Sequence, residues 1–77
     1  MSTEETGGAE LAKRSVTIAG HRTSLALEGP FWVGLEQLAA SQNLTLPKMI
    51  AAIDHDRGNA GLASAIRVAV LRHFAEK

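Results

Sequence analysis

The chain has 77 residues, 45% of them hydrophobic, and contains no cysteine. A domain this small buries only about 60 to 65% of its unfolded surface, so it is marginally stable as a monomer. Because disulfides and thiolate metal sites are excluded, we expect dimerisation to supply the missing stability.

The formal net charge is zero, but acids and bases are unevenly distributed. Residues 1–10 hold three of the eight acids and no Lys or Arg, which leaves a net charge of about +3 on the rest of the chain. No apolar run approaches the roughly 20 residues of a membrane-spanning helix, and residues 1–12 lack the pattern of a secretory signal. We therefore expect a soluble, cytoplasmic protein that does not contact a membrane.

Residues 1–12 are rich in Ser, Thr, Glu and Gly and contain little apolar surface. Burial cannot offset the entropy cost of ordering such a segment. We predict a disordered acidic tail over residues 1–12 and a single domain over residues 13–77.

An extended segment follows the tail. Val16 and Ile18 alternate with hydroxyl residues, and after Gly20 the alternation resumes through Leu25 and Leu27. This period of two predicts β structure. Gly20 permits either a bulge in one kinked strand or a tight turn between two short strands, and the sequence leaves both open.

The extended segment is basic. Lys13, Arg14, His21 and Arg22 precede its first acid, Glu28. A single strand in a mostly helical chain needs a pairing partner, so we expect it to pair with the same strand of a second subunit. Such a two-stranded ribbon, with cationic and hydroxyl side chains outward, fits the DNA major groove. The alternative is a charged face that is merely solvated.

The first helix is predicted over residues 30–42, because Pro30 suits a first turn, where its missing N–H would have no partner. Asn43 is the predicted C-cap. The buried stripe of this helix has Trp32 at its edge and consists of Phe31, Leu35, Leu38 and Ala39.

Two further helices are predicted. Thr45 is the expected N-cap of the second helix, and the polar run over residues 54–59, which contains a glycine, ends it. The third is predicted over residues 61–75, with Asn59 as its N-cap. This third helix is apolar around much of its circumference, so we expect a second subunit to cover it.

These elements together resemble the ribbon-helix-helix proteins, in which a strand is followed by a proline-led helix, a short turn and a second helix. The chain is similar to short bacterial members carrying Gly-His-Arg-Thr-Ser, here residues 20–24, then Leu-Glu and Phe-Trp, here residues 27–28 and 31–32. The resemblance covers residues 13–74. A later signature resembles Asn59, Leu62, Ala63, Ser64, Ala65 and Arg67, with Ala63 where serine is expected and Ala60 and Gly61 before the leucine.

The resemblance implies a mostly α-helical fold with a short β ribbon: a ribbon-helix-helix homodimer with an additional C-terminal helix. One strand from each subunit would form the antiparallel ribbon, whose alternate side chains read bases in the major groove. The implied function is sequence-specific binding of double-stranded DNA by a bacterial transcription regulator. Transferred to this chain, the outward side chains are Arg22, Ser24 and Ala26, and the inward ones are Thr23, Leu25 and Leu27.

Ala26 departs from the family, in which that outward position commonly bears a polar or basic side chain. Direct base reading is then expected either to be weaker or to shift to Arg14, Thr17 or His21. In this family the amide end of the helix after the inter-helix turn usually grips a phosphate, and Lys48 could join such amides here. The predicted DNA-binding residues are therefore Arg14, Thr17, His21, Arg22, Ser24 and Lys48.

Several of these residues also have plainer interpretations. Arg22 could form paired hydrogen bonds to a guanine edge, a contact worth about 1 to 3 kcal/mol of discrimination, or only a surface ion pair. Ser24 could contact DNA or only bond locally. Trp32 could stack on a base, although a buried anchor in the core or a dimer interface is the commoner role.

Catalysis, metals and cofactors are not expected. His55 lies between Asp54 and Asp56, but neighbouring residues on a helix point in different directions, and no histidine pair has the i, i+4 spacing of helical zinc sites. Asp54 and Arg57 are expected instead to pair across a helix end or to cap the third helix. The sequence shows no nucleophile with its base, no phosphate-binding glycine loop and no matched carboxylate pair.

A protein-interaction module is the alternative function. In this interpretation an antitoxin or adaptor keeps the dimer scaffold and binds a partner protein through its apolar third helix or acidic tail. The neutral overall charge, Ala26 and the extra helix favour it. The sequence identifies neither an operator nor an effector, and it does not separate an antitoxin from a stand-alone regulator.

Overall fold

The computed structural model describes residues 10–76, so the first nine residues of the predicted tail lie outside the described residues. It contains a β hairpin and three helices, which confirms the predicted fold class of a mostly α-helical chain with a short β ribbon and an additional C-terminal helix. The elements are β1 (Leu11–Ile18), β2 (His21–Glu28), α1 (Gly29–Ser41), α2 (Leu46–Asp56) and α3 (Leu62–Ala75).

The two strands form an antiparallel hairpin closed by a two-residue turn. Ile18 pairs with His21 on either side of that turn. Ala19 and Gly20 both have a positive φ, 51° and 85° respectively, as the common two-residue hairpin turn requires. Of the two alternatives left open by Gly20, the structure therefore has the tight turn.

The prediction that the strand of Arg22 needs a second subunit as its pairing partner was wrong. β2 pairs with β1 of the same chain along its whole length, and the open end of the hairpin places Leu11 opposite Glu28. Leu11 and Ala12 belong to β1 and not to the predicted tail. With these two residues β1 has eight residues, as many as β2, and the two strands match without a second copy.

α1 follows β2 with no linker residue, because β2 ends at Glu28 and α1 begins at Gly29. Pro30 lies in the first turn, as the sequence predicts. Trp32 is 1% exposed and belongs to the core rather than to the edge of the buried stripe, whereas Phe31 is only partly buried. The direct junction means that the orientation of the hairpin and that of the helix are coupled.

α1 ends in a Schellman motif around Asn43. Asn43 has a φ of 58°, and its N–H donates to the carbonyl of Ala40 over 3.1 Å. The N–H of Leu44 donates to the carbonyl of Ala39 over 2.9 Å. The cap position itself is Gln42, so the predicted C-cap residue lies one position further along.

The starts of α2 and α3 differ in how well they were predicted. Thr45 is the N-cap of α2, as expected, and its hydroxyl accepts a hydrogen bond from a first-turn N–H over 3.3 Å. The prediction of Asn59 as the N-cap of α3 was wrong, because the cap is Gly61. The N–H of Ala60 donates to the carbonyl of Arg57 over 3.1 Å, and this turn delays the start of the helix beyond Asn59.

The core lies between one face of the hairpin and the three helices. α1 and α3 approach closely at Gly34, where an added methyl group would lie 2.6 Å from a methyl carbon of Val70. Only glycine fits this approach without a shift of the neighbouring side chain. The largest fully buried side chains are Trp32, Leu27, Leu35, Ile50 and Ile66.

α3 buries only part of its apolar surface. Ile66 and Val70 are buried, whereas Val68, Leu71 and Phe74 are exposed. The expectation that a second subunit covers this helix stays a prediction. Over residues 10–76, none of the helices has the length and apolar character needed to cross a bilayer.

Candidate nucleic-acid interface

The hairpin has an inner face that packs on the helices and an outer face turned to solvent. Residues that pair across the strands lie on the same face, and successive residues alternate between faces. On the inner face Val16, Ile18, Leu25 and Leu27 are buried. The outer face carries Lys13, Ser15 and Thr17 from β1 and Arg22, Ser24 and Ala26 from β2, and it ends at Leu11 and Glu28.

Arg22 lies on the outer face next to the turn, opposite Thr17. Its Nε and Nη2 atoms donate to the hydroxyl oxygen of Ser15 over 3.1 and 2.9 Å. Within residues 10–76, Arg22 forms no ion pair with a carboxylate. Its guanidinium therefore reaches from β2 to a hydroxyl group on β1. Its positive charge is not neutralised by a neighbouring acid.

The structure brings together three of the predicted DNA-binding residues, Thr17, Arg22 and Ser24. Ser24 lies opposite Ser15, two residues along from the pair formed by Thr17 and Arg22. All four side chains are exposed. The hydroxyls and the guanidinium thus form a polar row along the ribbon that solvent can reach.

Lys13 and Ser15 also belong to this face, although they were not among the predicted site residues. Lys13 lies opposite Ala26, so a cation stands beside the position at which β2 offers only a methyl group. Lys13 and Ser15 precede Thr17 by four and two residues, a spacing that is visible in the sequence. It becomes informative only when Leu11–Ile18 is identified as one continuous strand.

Arg14 lies on the inner face, so the structure separates it from Arg22. Its guanidinium carbon is 4.3 Å from the centroid of the Trp32 ring, and its Nη1 atom donates to Glu36 Oε2 over 3.2 Å. The indole N–H of Trp32 donates to the Ala12 carbonyl over 2.8 Å. These contacts attach β1 to α1, and the burial of Trp32 leaves no free ring face for a nucleobase.

His21 also falls on the inner side of the hairpin, since it pairs with the buried Ile18. It borders a hollow between the hairpin turn and the helices, together with Asp54 and Arg57. Arg57 Nε donates to the Asp54 carboxylate over 2.6 Å, which confirms that predicted pair. His21 is therefore not in the same row as the outward side chains.

Lys48 lies in the first turn of α2, outside the hairpin. Its backbone N–H donates to the hydroxyl of Thr45, and the N–H of Met49 donates to the Thr45 carbonyl. Pro47 has no N–H to offer. This helix start consequently has few backbone donors left, and the side-chain ammonium of Lys48 is the cationic group of its first turn.

At the open end of the hairpin, the Glu28 carboxylate is held by Arg67 of α3. Arg67 Nε and Nη2 donate to its two oxygens over 2.9 and 3.1 Å. The hydrogen bonds from Arg67, and then the backbone N–H of Glu28 itself, lower the pKa of the Glu28 carboxyl below its ordinary value. The acid at this end of the outer face is thus paired within the protein.

The histidine and aspartates at the end of α2 are not arranged as a metal site. His55 Nδ1 lies 3.2 Å from Asp56 Oδ1, and both side chains are largely exposed. In the part of the chain that the structure describes, no three His, Asp or Glu side chains come together as possible metal ligands.

Comparison with known proteins gives a family and a fold. A family model described as a ribbon-helix-helix domain matches residues 11–74. A solved structure, that of an uncharacterized protein from Bordetella pertussis Tohama I, is similar with a TM-score of 0.73 and 24% sequence identity, and the match covers 96% of this chain and 70% of that chain. At this identity the similarity shows the fold alone. No curated protein matches the sequence.

Proposed function

The chain belongs to the ribbon-helix-helix family, and from this premise we propose that it is a sequence-specific DNA-binding regulator of transcription that acts in the cytoplasm as a homodimer. Proteins of this family typically bind DNA and dimerise, and they are generally not catalysts. The outer face of the hairpin carries the proposal, because it presents exposed basic and hydroxyl side chains on a two-stranded ribbon.

The shape of the hairpin supports entry into the major groove. Its strands lie about 4.8 Å apart, and the groove of B-DNA is about 12 Å wide and admits a two-stranded β ribbon. Each strand of the hairpin is hydrogen-bonded to the other, so the ribbon is already formed before DNA is met. The association therefore does not have to include the entropy cost of ordering it.

Arg22 is the side chain best suited to read a base. Its planar guanidinium can donate two parallel hydrogen bonds to the O6 and N7 atoms of guanine. The hydroxyl of Ser15 holds that guanidinium on the outer face. Thr17 and Ser24 flank it with exposed hydroxyls, which can donate to or accept from base edges and phosphates.

Lys13 and Lys48 are assigned to the phosphate backbone. Lys13 lies four residues along β1 from Thr17, a separation of about 14 Å in an extended strand. A single flexible ammonium suits a phosphate rather than a base edge. Lys48 lies at the start of α2, where the partial positive charge of the helix adds to its own.

In the proposed dimer each subunit contributes its own hairpin, because both strands of the ribbon come from one chain. Two such ribbons would contact two half-sites, about 34 to 36 Å apart if they face successive turns of the duplex. The exposed apolar side chains Val68 and Leu71 on α3 support a contact between subunits, since exposed apolar patches commonly mark interfaces.

Selection of binding sites from random duplexes at modest salt tests the function. We expect enrichment of a repeated motif whose spacing gives the distance between the two hairpins. Affinity for the selected duplex should fall steeply with salt concentration, because each phosphate contact releases counterions. The absence of enrichment, with no duplex binding at low salt, would contradict DNA recognition.

Arg22→Ala tests the assigned base contact. We expect duplex affinity to fall about tenfold or more, with discrimination lost at one base position and the fold retained. Arg72→Ala is the matched control, because it removes an exposed cation from α3 instead. Equal losses for both variants would show that only overall charge matters.

A protein-interaction module, such as an antitoxin or adaptor, is the second candidate. The exposed apolar side chains of α3 favour it, with Leu71 65% exposed. In that case a native partner should co-purify with the wild-type chain and be lost on Leu71→Gln, and duplex binding at low salt should be undetectable. For the regulator, Leu71→Gln should instead weaken the homodimer in sedimentation experiments.

A further inference from the structure

We propose that Arg14 is a positioning residue, which together with Trp32 and Glu36 fixes the orientation of the hairpin on α1 and so places Lys13 for contact with DNA. This role rests on the proposed DNA binding. It moves Arg14 from the set of DNA contacts to the set of residues that hold the ribbon.

Two contacts of one aromatic ring hold β1. The edge of Trp32 donates its indole N–H to the Ala12 carbonyl over 2.8 Å, and its face lies 4.3 Å from the Arg14 guanidinium carbon. Glu36, four residues after Trp32 on α1, accepts a hydrogen bond from Arg14 over 3.2 Å. We refer to Ala12, Arg14, Trp32 and Glu36 as the β1–α1 clamp.

The clamp is needed because half of β1 has no other anchor in the core. The side chains of residues 11–15 are all exposed, and only Val16 and Ile18, next to the turn, are buried. The open end of β1 is therefore attached through hydrogen bonds to β2 and through the clamp. Trp32 is 1% exposed, so the ring that the clamp uses is itself fixed by packing.

Lys13 lies between Ala12 and Arg14, the two clamp residues of β1, and its side chain is on the outer face. Side chains alternate along a strand, so holding β1 by the Ala12 carbonyl and the Arg14 side chain fixes the face to which the Lys13 side chain points. Lys13 is the outward cation on β1 and stands opposite Ala26, where β2 offers no polar group. The clamp thus controls the only charged side chain of the outer face between Leu11 and Ile18.

The ion pair alone does not account for the clamp. The side chains of Arg14 and Glu36 are 45% and 52% exposed, and a pair that solvent reaches so freely contributes little by itself. Stacking of a guanidinium on an indole and the hydrogen bond from a buried N–H are better suited to fix a direction. Glu36 keeps the Arg14 charge on the inner face, away from the polar row of Arg22.

Hydrogen exchange of the full chain without DNA tests the structural half of the proposal. In Arg14→Ala we expect the amides of β1 to exchange about threefold to tenfold faster, while those of α2 are unchanged. Arg72→Ala, which also removes one cation, should leave exchange in β1 as in the wild type. Unchanged protection of β1 in Arg14→Ala would overturn the proposal whether or not the protein binds DNA.

Duplex binding by Glu36→Gln tests the functional half. Removing an acid normally strengthens binding to DNA. Glu76→Gln controls for that effect, because it removes a carboxylate from the C-terminal end of α3, away from the clamp. If the clamp places the ribbon, Glu36→Gln weakens binding relative to Glu76→Gln. If Arg14 instead reaches a phosphate, Glu36→Gln frees it and strengthens binding, and the proposal fails.

A double-mutant cycle between Arg14 and Lys13 separates positioning from direct contact. If Arg14 acts through Lys13, Arg14→Ala should weaken binding severalfold in the wild type and much less in a Lys13→Ala background. Additive losses would contradict positioning. A wild-type protein that binds no duplex would overturn the proposed function, and the exchange experiment would still decide whether Arg14 holds the hairpin.

Discussion

The two faces of the hairpin come from the same two strands, yet they differ in burial. Leu25 and Leu27 on the inner face are almost fully buried, whereas Arg22 and Ser24 on the outer face of the same strand are exposed. Because side chains alternate, each residue of the ribbon contributes to packing or to the solvent-facing surface, and seldom to both. Substitutions on the two faces should therefore separate stability from binding.

The largest effect is expected on the inner face, for Leu27→Ala. Leu27 is 0% exposed, and truncation of a buried leucine leaves a cavity that typically costs about 2 to 5 kcal/mol of unfolding free energy. Leu11→Ala is the matched control, because Leu11 is the same residue type in the same hairpin and 58% exposed. Urea unfolding should show a change within about 0.5 kcal/mol for Leu11→Ala, and similar losses for both leucines would break the comparison.

The turn that joins the strands should show an intermediate effect. Gly20→Ala places a methyl group at a φ of 85° with no atom within 4 Å, so backbone strain alone should destabilise the protein by about 1 to 2 kcal/mol. Ala19→Asn should act in the opposite direction by about 0.5 kcal/mol, because asparagine is favoured at this turn position. Thermal unfolding of the two variants checks the opposite signs, and a stabilising Gly20→Ala would contradict the turn conformation.

Glu28 is expected to be an exception among the outward positions, because it links stability to pH. Its pKa is lowered by the hydrogen bonds from Arg67, so the folded form favours the carboxylate more than the unfolded form does. The ion pair therefore stabilises the fold above the ordinary glutamate pKa, and this contribution is lost as pH falls through the lowered pKa. Melting temperature measured from neutral pH downward should fall more in the wild type than in Glu28→Gln.

The smallest effects on stability are expected for the exposed row itself. Arg22→Ala, Thr17→Ala and Ser24→Ala should each change the unfolding free energy by no more than about 0.5 kcal/mol, since none of these side chains is buried. The expected loss for Arg22→Ala lies in DNA affinity. A loss of stability above about 1 kcal/mol for Arg22→Ala would show that its contact with Ser15 is a structural requirement.

Local signals predicted most of the fold. The period of two through Leu25 and Leu27, Pro30 in a first turn and Thr45 as an N-cap each depend on residues close in sequence. The pairing of β2 depends instead on how far β1 extends toward the N-terminus, and Leu11 and Ala12 carry no signal that separates a strand from a tail.

The candidate site was predicted less completely than the fold. Arg22, Ser24 and Thr17 share a face. Arg22 and Ser24 are two residues apart in β2, and Thr17 lies directly opposite Arg22 in β1. The charge of Arg14 predicts a place among them, but its partners on the other face, Trp32 and Glu36, lie on α1. Such a contact between elements leaves no mark in a local pattern.

The spacing of the outward side chains has a consequence for the operator. Alternate residues of a strand are about 6.8 Å apart, close to the rise of two base pairs at about 3.4 Å each. From Arg22 to Ala26 the ribbon therefore spans about four base-pair steps, with a hydrogen-bonding fork at one end and a methyl group at the other. A half-site bound in this way would have a direction: the base preference would be strict nearest the turn, and any base would be tolerated toward the open end.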